Sequence, residues 1–349
     1  MSFERPDEVV TWLCLTSEMH PLRLAIVALL AAPACGSSEG GGSPNVCTAP
    51  CGPVSLAQMQ ASPFPLAAAN GRVAWINHQA GGAEGIVKSV STAGGSSSEL
   101  ATASGSPGQL WNHLVVDDRN VYWVSTAAGA ARPSEIHAVP VSGGTQKTLY
   151  TDPNPIGGIE NVVTAGGAVY TSSSEGVIRI DRDTGAVTKI VTTDCGATEI
   201  LVDAEHVYCF GQAITMTPLA GGVSTTLVPP PTSSTYRRGF AIDDADLYFM
   251  MASSTDETYT LQKVPLSGGS PTVLAANLQV RSMSFVVNEV GVFWIAVTPS
   301  VGTYPLMRVD LAGGTPVVAS PMGDGAFLAA DARNVYVATF LGNINEVAF

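Results

Sequence analysis

Residues 115–125 read VVDDRNVYWVS, a short apolar run, an Asp-rich turn and a second apolar run that contains Tyr122. Seven triplets, each combining a hydrophobic first residue with an aromatic residue, recur along the chain. They begin at Val73, Val121, Val169, Val207, Leu247, Val292 and Val335. Their middle residues are 48, 48, 38, 40, 45 and 43 positions apart. A period of about 40–45 residues is typical of propeller blades rather than helical solenoids.

Each triplet is predicted to be the second strand of a four-stranded antiparallel blade. Strand alternation places its first and third residues on one face and its middle residue on the other. Four residues before each triplet the preceding strand ends, at Ala69, Asp117, Ala165, Asp203, Asp243, Asn288 and Asp331. Asp and Asn suit a tight turn because their side chains accept hydrogen bonds from nearby backbone N–H groups. Calcium sites are the alternative, but the carboxylates belong to different blades and are not expected to converge.

The third and fourth strands follow from segments that end in Gly-Gly. Examples are IHAVPVSGG from Ile136 and LQKVPLSGG from Leu261. The two glycines are expected to supply the positive φ angles of a two-residue hairpin. A fourth strand is then predicted, as at residues 271–275.

Composition and strand count together define the predicted fold. The chain has 36 Gly, 23 Pro and only 13% charged residues, and apolar residues alternate with small polar ones, which indicates an all-β protein. Only 13 residues follow Tyr336, enough for a third strand but not a fourth. Residues 52–57 resemble an isolated fourth strand. We therefore predict a seven-bladed β-propeller over residues 51–349, whose last blade is completed by residues 53–57, so that no edge strand is exposed.

The segment VVDDRNVYWVS, followed by IHAVPVSGG, resembles the YWTD-type repeats of low-density-lipoprotein-receptor propellers and their bacterial TolB-like relatives. The resemblance covers about residues 52–349. It implies the propeller architecture and is carried no further, because Thr-Asp never follows Tyr-Trp here and those families have six blades.

The N-terminus is predicted to be an export signal. Residues 1–18 carry four acids and one base and are interpreted as a mis-called start, with Met19 as the true one. Residues 19–34 then have a short positive region, an apolar run and a small-residue cleavage site. We interpret them as a lipoprotein signal peptide, Cys35 as the lipidated residue and residues 35–50 as a flexible tether. Ordinary cleavage before Cys35 is the alternative. Gly36 favours the outer membrane over the inner.

The remaining cysteines and the net charge limit the partners. Four cysteines allow three pairings, of which Cys47–Cys51 with Cys195–Cys209 is favoured. A metal site is the weaker reading, because CxxxC has no CxxC partner. The formal charge of −13 argues against nucleic acid and against an anionic membrane surface. Membrane attachment is therefore expected only through the lipid, and neither a metal nor a cofactor is predicted.

The segments that lead into the first strands should meet at one mouth of the central channel. They contribute Trp111, Asn112, His113, Glu160, Asn161, Glu199, Arg237, Arg238, Arg281 and Asp324. The candidate ligand-binding residues among them are Trp111, His113, Arg237, Arg238 and Arg281. Arginines and a tryptophan could bind an anionic or aromatic ligand. Alternatively, the arginines pair with Glu160, Glu199 and Asp324.

No catalytic residue is assigned from the sequence. His78, His113, His137 and His206 occupy unlike positions in their blades, so neither a Ser-His-Asp triad nor a metal cluster is predicted. The expected function is that of a monomeric binding or protein-interaction module in the cell envelope, with a protein or a small molecule as its ligand. The alternative is a propeller enzyme, a lyase or hydrolase, with its site at the channel mouth.

Overall fold

The strands that the structure describes in this 349-residue protein form seven sheets. The computed structural model describes residues 52–78, 84–104, 113–125, 134–153, 159, 161–173, 176–191, 195, 199–231, 235–253, 258–297 and 302–349. Within these ranges the secondary structure is β throughout, in seven four-stranded antiparallel sheets. No helix able to cross a membrane is found among them.

The strands follow the blades in chain order. The chain begins with β1 (Val54–Ala57). Blade 1 has β2 (Pro63–Ala69), β3 (Arg72–His78), β4 (Glu84–Ser91) and β5 (Ser98–Ser104). Blade 2 has β6 (Leu114–Val116), β7 (Asn120–Ser125), β8 (Glu135–Pro140) and β9 (Lys147–Thr151). Blade 3 has β10 (Asn161–Ala165), β11 (Ala168–Ser173), β12 (Gly176–Asp181) and β13 (Val187–Val191). Blade 4 has β14 (Ile200–Val202), β15 (His206–Phe210), β16 (Ile214–Pro218) and β17 (Thr225–Val228).

The other three blades complete the ring. Blade 5 has β18 (Thr235–Ile242), β19 (Asp246–Ser253), β20 (Tyr259–Pro265) and β21 (Thr272–Leu278). Blade 6 has β22 (Val280–Asn288), β23 (Gly291–Ala296), β24 (Leu306–Val309) and β25 (Val317–Ser320). Blade 7 has β26 (Gly325–Ala330), β27 (Asn334–Thr339) and β28 (Ile344–Ala348), with β1 as its fourth strand.

The first strands of the blades form a closed circuit. The first strand of each blade contacts the first strand of the next blade, in the order β2, β6, β10, β14, β18, β22 and β26. The circuit closes because β26 contacts β2. A closed circuit of seven first strands around a central channel is the arrangement of a seven-bladed propeller. The predicted fold is therefore confirmed.

The ring is closed by the N-terminal strand, as the strand count predicts. β1 pairs antiparallel with β28, with Val54 opposite Glu346 and Ala57 opposite Ile344. Leu56 is buried against blade 7 in the same apolar cluster as Ile344. This pairing covers the outer edge of β28, which would otherwise leave backbone N–H and C=O groups unpaired.

The triplets build the apolar layers between blades. Val121 and Trp123 pack against blade 1, in a cluster that contains Ile76. Tyr122 packs in the opposite direction, against Val169 of blade 3. All three triplet residues are fully buried, because a neighbouring sheet covers each face of the blade. The predicted alternation of the triplet is confirmed.

The turns between first and second strands have the predicted chemistry. Asp331 Oδ1 accepts hydrogen bonds from the N–H groups of Arg333 (3.0 Å) and Asn334 (2.8 Å). The same pattern occurs at Asp117, Asp203 and Asp243. Where alanine replaces the acid in blade 1, Asn70 and Gly71 adopt φ angles of 51° and 72°. The carboxylates are therefore turn-stabilising groups.

The Gly-Gly pairs adopt positive φ angles, but the predicted two-residue hairpins are wrong. Gly143 and Gly144 have φ angles of 81° and 138°. The Gly143 N–H donates to the carbonyl of Pro140 at 2.9 Å, so Gly143 is the last residue of a β-turn rather than one of its central pair. Pairing with β8 resumes only at Lys147, where β9 begins.

A disulfide joins Cys195 to Cys209, with Cα atoms 5.4 Å apart. Both residues are fully buried, and Cys209 belongs to β15, so the bond ties the segment before β14 to the second strand of blade 4. Cys35, Cys47 and Cys51 lie outside the described residues.

Candidate functional site

The antiparallel blades give the ring two different ends. The mouth face carries the starts of the first strands and the connections between second and third strands. The turn face carries the turns between first and second strands and between third and fourth strands. His113, Glu199, Arg237, Arg238, Arg281 and Asp324 all belong to the mouth face by their positions in the strand order. Trp111, Asn112 and Glu160 lie outside the described residues.

Two titratable side chains at the mouth are perturbed by desolvation. The pKa of His113, just before β6, is lowered to about 3 because burial disfavours the imidazolium. Glu199, just before β14, keeps part of its surface exposed to solvent. The protein around its carboxyl group nevertheless desolvates it, which raises its pKa to about 7. His113 is thus neutral at physiological pH, and Glu199 titrates near neutrality.

Arg237 is committed to the contact between blades 4 and 5. Its Nη1 donates to the carbonyl of Gln212 at 2.9 Å, and its Nη2 donates to the carbonyl of Pro229. Its guanidinium carbon lies 5.7 Å from the ring centroid of Phe249. Burial lowers its pKa. These contacts use both terminal nitrogens, so Arg237 contributes little to a ligand site.

Arg238 and Arg281 are held by aromatic rings instead of carboxylates. Arg238 lies 4.9 Å above the Tyr236 ring. The guanidinium carbon of Arg281 lies 3.6 Å from the ring centroid of Tyr304 and 4.6 Å from that of Phe340. Within the described part of the chain, no ion pair joins Arg237, Arg238 or Arg281 to Glu199 or Asp324. The alternative reading, in which these arginines pair with those two acids, is wrong.

Asp324 and Asn161 have structural roles. The Asp324 carbonyl and its Oδ2 accept hydrogen bonds from the N–H groups of Phe340 (3.1 Å) and Leu341 (3.3 Å). Asn161 is buried, and its Nδ2 donates to the carbonyl of Ile200 at 3.0 Å, which links blade 3 to blade 4. Asn161 therefore serves the contact between blades 3 and 4, and Asp324 supports the connection between β27 and β28.

The mouth face also presents an apolar patch that the sequence analysis did not identify. We define the Phe340 patch as Met59, Arg281, Tyr304, Phe340 and Leu341. Met59, Phe340 and Leu341 are 92%, 58% and 78% exposed. Consecutive large apolar residues in the connection between β27 and β28 are a signal that could have found it, since such connections are normally polar.

The connection that carries the Phe340 patch is held rigidly. The Gln60 N–H donates to the Gly342 carbonyl at 2.8 Å, and the Asn343 N–H donates to Thr339 Oγ1 at 3.1 Å. Gly342 has a φ of 81°, and a Cβ at this residue would overlap the backbone oxygen of Gln60. Phe340 and Leu341 are therefore presented on a fixed backbone.

Blade 2 contains a serine–histidine contact that the sequence analysis also missed. Ser125 Oγ and His137 Nε2 are 2.8 Å apart, and both side chains are buried. Glu135 Oε2 approaches the same Nε2 at 3.4 Å, while Thr148 Oγ1 lies 3.2 Å from Nδ1. A catalytic triad needs the acid on the nitrogen that does not face the serine. The contact therefore lacks triad geometry and links three strands of the blade.

The turn face brings turn residues of different blades near one another. Asp243 and Asp331 line one cavity of about 400 Å³. These turns lie at the inner ends of their blades, where the blades approach one another around the channel. In the ranges the structure describes, however, no three His, Cys, Asp or Glu side chains are arranged to hold a metal ion.

No protein-family model matches the chain, and no curated protein matches it. Solved structures do. PorZ, a bacterial surface component of the type-IX secretion system of Porphyromonas gingivalis, aligns with a TM-score of 0.57 and 13% identity over 85% of this chain and 38% of PorZ. YCF48 bound to D1 peptide aligns with a TM-score of 0.57 and 9% identity, covering 85% of this chain and 96% of that one.

The computationally designed protein Ika8 aligns with a TM-score of 0.52 and 12% identity, over 84% of this chain and 98% of its own. Likeness at such low identity establishes the fold and nothing finer. The β-propeller architecture implied by the resemblance to YWTD-type repeats is confirmed, and the resemblance to TolB-like proteins stays a prediction.

Proposed function

We propose that this protein is a binding module that docks a segment of a partner protein on the Phe340 patch of its mouth face. The observation that carries the proposal is the rigid exposure of Phe340 and Leu341 beside Arg281, a cation with no carboxylate partner among the described residues. Large apolar side chains on a fixed backbone lose little conformational entropy on binding, which favours affinity.

The chemistry of the patch defines the partner segment. Aromatic residues and arginine are enriched where binding energy is concentrated, and Phe340, Tyr304 and Arg281 supply both. Tyr304 and Phe340 flank the guanidinium, so its N–H groups are presented toward a carboxylate in a fixed orientation. The expected segment therefore combines an apolar side chain with an Asp or Glu.

Two structural neighbours are consistent with this use of the fold. PorZ is a bacterial surface component of a secretion system, and YCF48 was solved with a bound peptide. For the present chain, binding of a protein segment and a monomeric state remain proposals.

The cellular location is also a proposal, and it rests on the N-terminal sequence. Residues 19–34 have the organisation of a signal peptide, Cys35 follows a small-residue site and Gly-Ser-rich residues follow Cys35. In this proposal a lipid on Cys35 anchors the ring to the outer membrane through the tether of residues 35–50, and the partner belongs to the cell envelope.

Site-specific photo-crosslinking in the producing cell tests the function. A crosslinking residue at position 341 should capture a partner, and Phe340→Ser or Arg281→Ala should abolish capture. The matched control is position 223, where an exposed valine lies on the turn face. Equal capture from positions 341 and 223, or capture that ignores both substitutions, would contradict the proposal.

A further inference from the structure

We propose that Met59 is a modification site, at which oxidation of the thioether to the sulfoxide makes the Phe340 patch more polar and weakens docking there. Met59 lies in the connection between β1 and β2, which joins the ring-closing strand to blade 1. The modification itself depends only on the structure around Met59. Its effect on docking rests on the proposed function.

Exposure distinguishes Met59 from the other methionines whose side chains the structure describes. Met59 is 92% exposed, whereas Met250 and Met322 are 0% and 7% exposed. The remaining three are half-buried and pack against apolar clusters between blades, namely Met216, Met251 and Met307. Because oxidation follows the access of the oxidant to the sulfur, Met59 should react first.

The backbone holds Met59 at the surface. Its φ of 53° lies in the left-handed region, which is uncommon for residues other than Gly, Asn and Asp. The next residue is fastened on three sides, because the Gln60 N–H donates to the Gly342 carbonyl at 2.8 Å and Gln60 Nε2 donates to the Gln58 carbonyl at 2.6 Å. Asn77 Nδ2 also donates to Gln60 Oε1 at 3.0 Å. Such a conformation persists only where surrounding contacts impose it, and residues of this kind cluster at functional sites.

The same contacts place Met59 within the docking surface. The hydrogen bond between Gln60 and Gly342 fastens the connection that carries Met59 to the connection between β27 and β28, which carries Phe340 and Leu341. The three most exposed apolar side chains of the patch thus belong to two connections that are joined to each other. A change in the polarity of Met59 therefore alters the surface on which the partner segment docks.

The oxidant is a peroxide, and hydrogen peroxide suffices. The sulfur lone pair attacks one peroxide oxygen, so that an S–O bond forms and the O–O bond breaks. The second oxygen leaves as water with both protons. Sulfur is oxidised by two electrons and the peroxide is reduced by two, so no further reactant is consumed. Methionine sulfoxide is reduced enzymatically, which makes the change reversible.

The sulfoxide opposes docking because its oxygen is a polar acceptor on a surface that an apolar side chain would cover. Burying a polar group without a hydrogen-bond partner is unfavourable, and the sulfoxide should weaken docking about tenfold. Removal of the oxygen restores the apolar thioether.

Peptide mass spectrometry tests the selectivity of oxidation. After treatment of the purified protein with dilute hydrogen peroxide, Met59 should be oxidised at least about tenfold faster than Met250 and Met322. The same treatment in urea is the control, and there the three residues should react at similar rates because the fold no longer protects any of them. Similar rates in the folded protein would overturn the site.

Retention on a phenyl column tests the change in surface polarity without any partner. Peroxide should shorten the retention of the wild type, and Met59→Gln should elute early without peroxide. Met59→Leu keeps an apolar side chain but has no sulfur, so peroxide should not change its retention. Thermal melting verifies that both variants are folded. A retention shift that is equally large in Met59→Leu would show that another residue is responsible and would overturn the proposal.

Photo-crosslinking from position 341 connects the modification to docking. Peroxide and Met59→Gln should each reduce capture of the partner about tenfold, whereas Met59→Leu should capture equally before and after treatment. Val223→Gln, at an exposed valine of the turn face, is the matched control and should capture as the wild type does. Capture that ignores both peroxide and Met59→Gln would overturn the effect on docking. If the wild type captures no partner, the proposed function fails, and peptide mapping and column retention decide the modification site by themselves.

Discussion

The hydroxyl group of Tyr336 donates a hydrogen bond of 2.6 Å to Oδ2 of Asp331, five residues earlier in the chain. Three other blades contain the same pair, as Tyr122–Asp117, Tyr208–Asp203 and Tyr248–Asp243. In each, one carboxylate oxygen closes the turn and the other anchors the buried tyrosine. Where the turn residue is Asn288, the corresponding aromatic is Phe293, which has no hydroxyl. The turn and the triplet therefore act as one unit.

The first prediction tests this unit. Tyr336→Phe should lower the free energy of unfolding by about 1–2 kcal/mol, because Asp331 Oδ2 loses its hydroxyl donor. Tyr170→Phe is the control, since Ala165 occupies the acid's position in that blade, and its effect should be smaller. Urea denaturation of both variants measures the difference. Equal losses would show that the tyrosine–aspartate bond does not contribute specifically.

The second prediction concerns the pH dependence of stability. The raised pKa of Glu199, about 7, means that the folded protein favours its protonated form. Protonated Glu199 makes its full contribution to stability when the pH is below the pKa of this residue in the unfolded chain. This contribution is lost as the pH rises through about 7. Glu199→Gln should therefore melt at a higher temperature than the wild type at pH 8, with the two converging at pH 4. A difference that does not change with pH would contradict the assigned pKa.

The third prediction concerns ring closure. Deleting residues 46–58 removes β1, exposes the edge of β28 and uncovers the apolar cluster that contains Leu56. The free energy of unfolding should fall by several kcal/mol, on the order of 25 cal/mol per Å² of apolar area lost. Deleting only residues 46–51 leaves β1 intact and should not change the melting temperature. An equally stable protein without β1 would rule out this closure.

The fourth prediction concerns the disulfide between Cys195 and Cys209. The bond closes a loop with a sequence separation of 14, so Cys195→Ser with Cys209→Ser should destabilise the protein by about 3 kcal/mol. Peptide mass spectrometry after alkylation, with and without reduction, should show these two cysteines linked. If both alkylate freely in protein purified without reductant, the pairing is wrong.

The fifth prediction concerns the anchor. Mass spectrometry of the mature N-terminus should find Cys35 as the first residue and carrying lipid, and Cys35→Ser should release the ring from the membrane fraction. An unlipidated N-terminus, or a serine variant that stays in the membrane fraction, would show that a feature other than Cys35 determines where the protein is located.

Much of the architecture is encoded locally, which is why the sequence predicts it. Strand alternation around Tyr122 and the turn at Asp117 each depend on residues close together in the chain. Counting such units predicts seven blades and closure by residues 53–57, and β1 pairs with β28 in the structure. The prediction of a two-residue hairpin at Gly143-Gly144 was wrong, because positive φ angles are compatible with more than one turn length.

The sites depend on contacts between blades, and only the tertiary structure decides these. Arg237 and Arg281 both lie near the start of a first strand, so the sequence does not distinguish them. In the structure Arg237 donates a hydrogen bond to a backbone carbonyl of blade 4, whereas Arg281 lies between aromatic rings of blades 6 and 7. Arg182 meets Asp117 from 65 residues away. Local repeats specify the geometry within each blade. Which side chain faces which partner depends on how adjacent sheets pack, and residues far apart in the chain become neighbours only when the ring is closed.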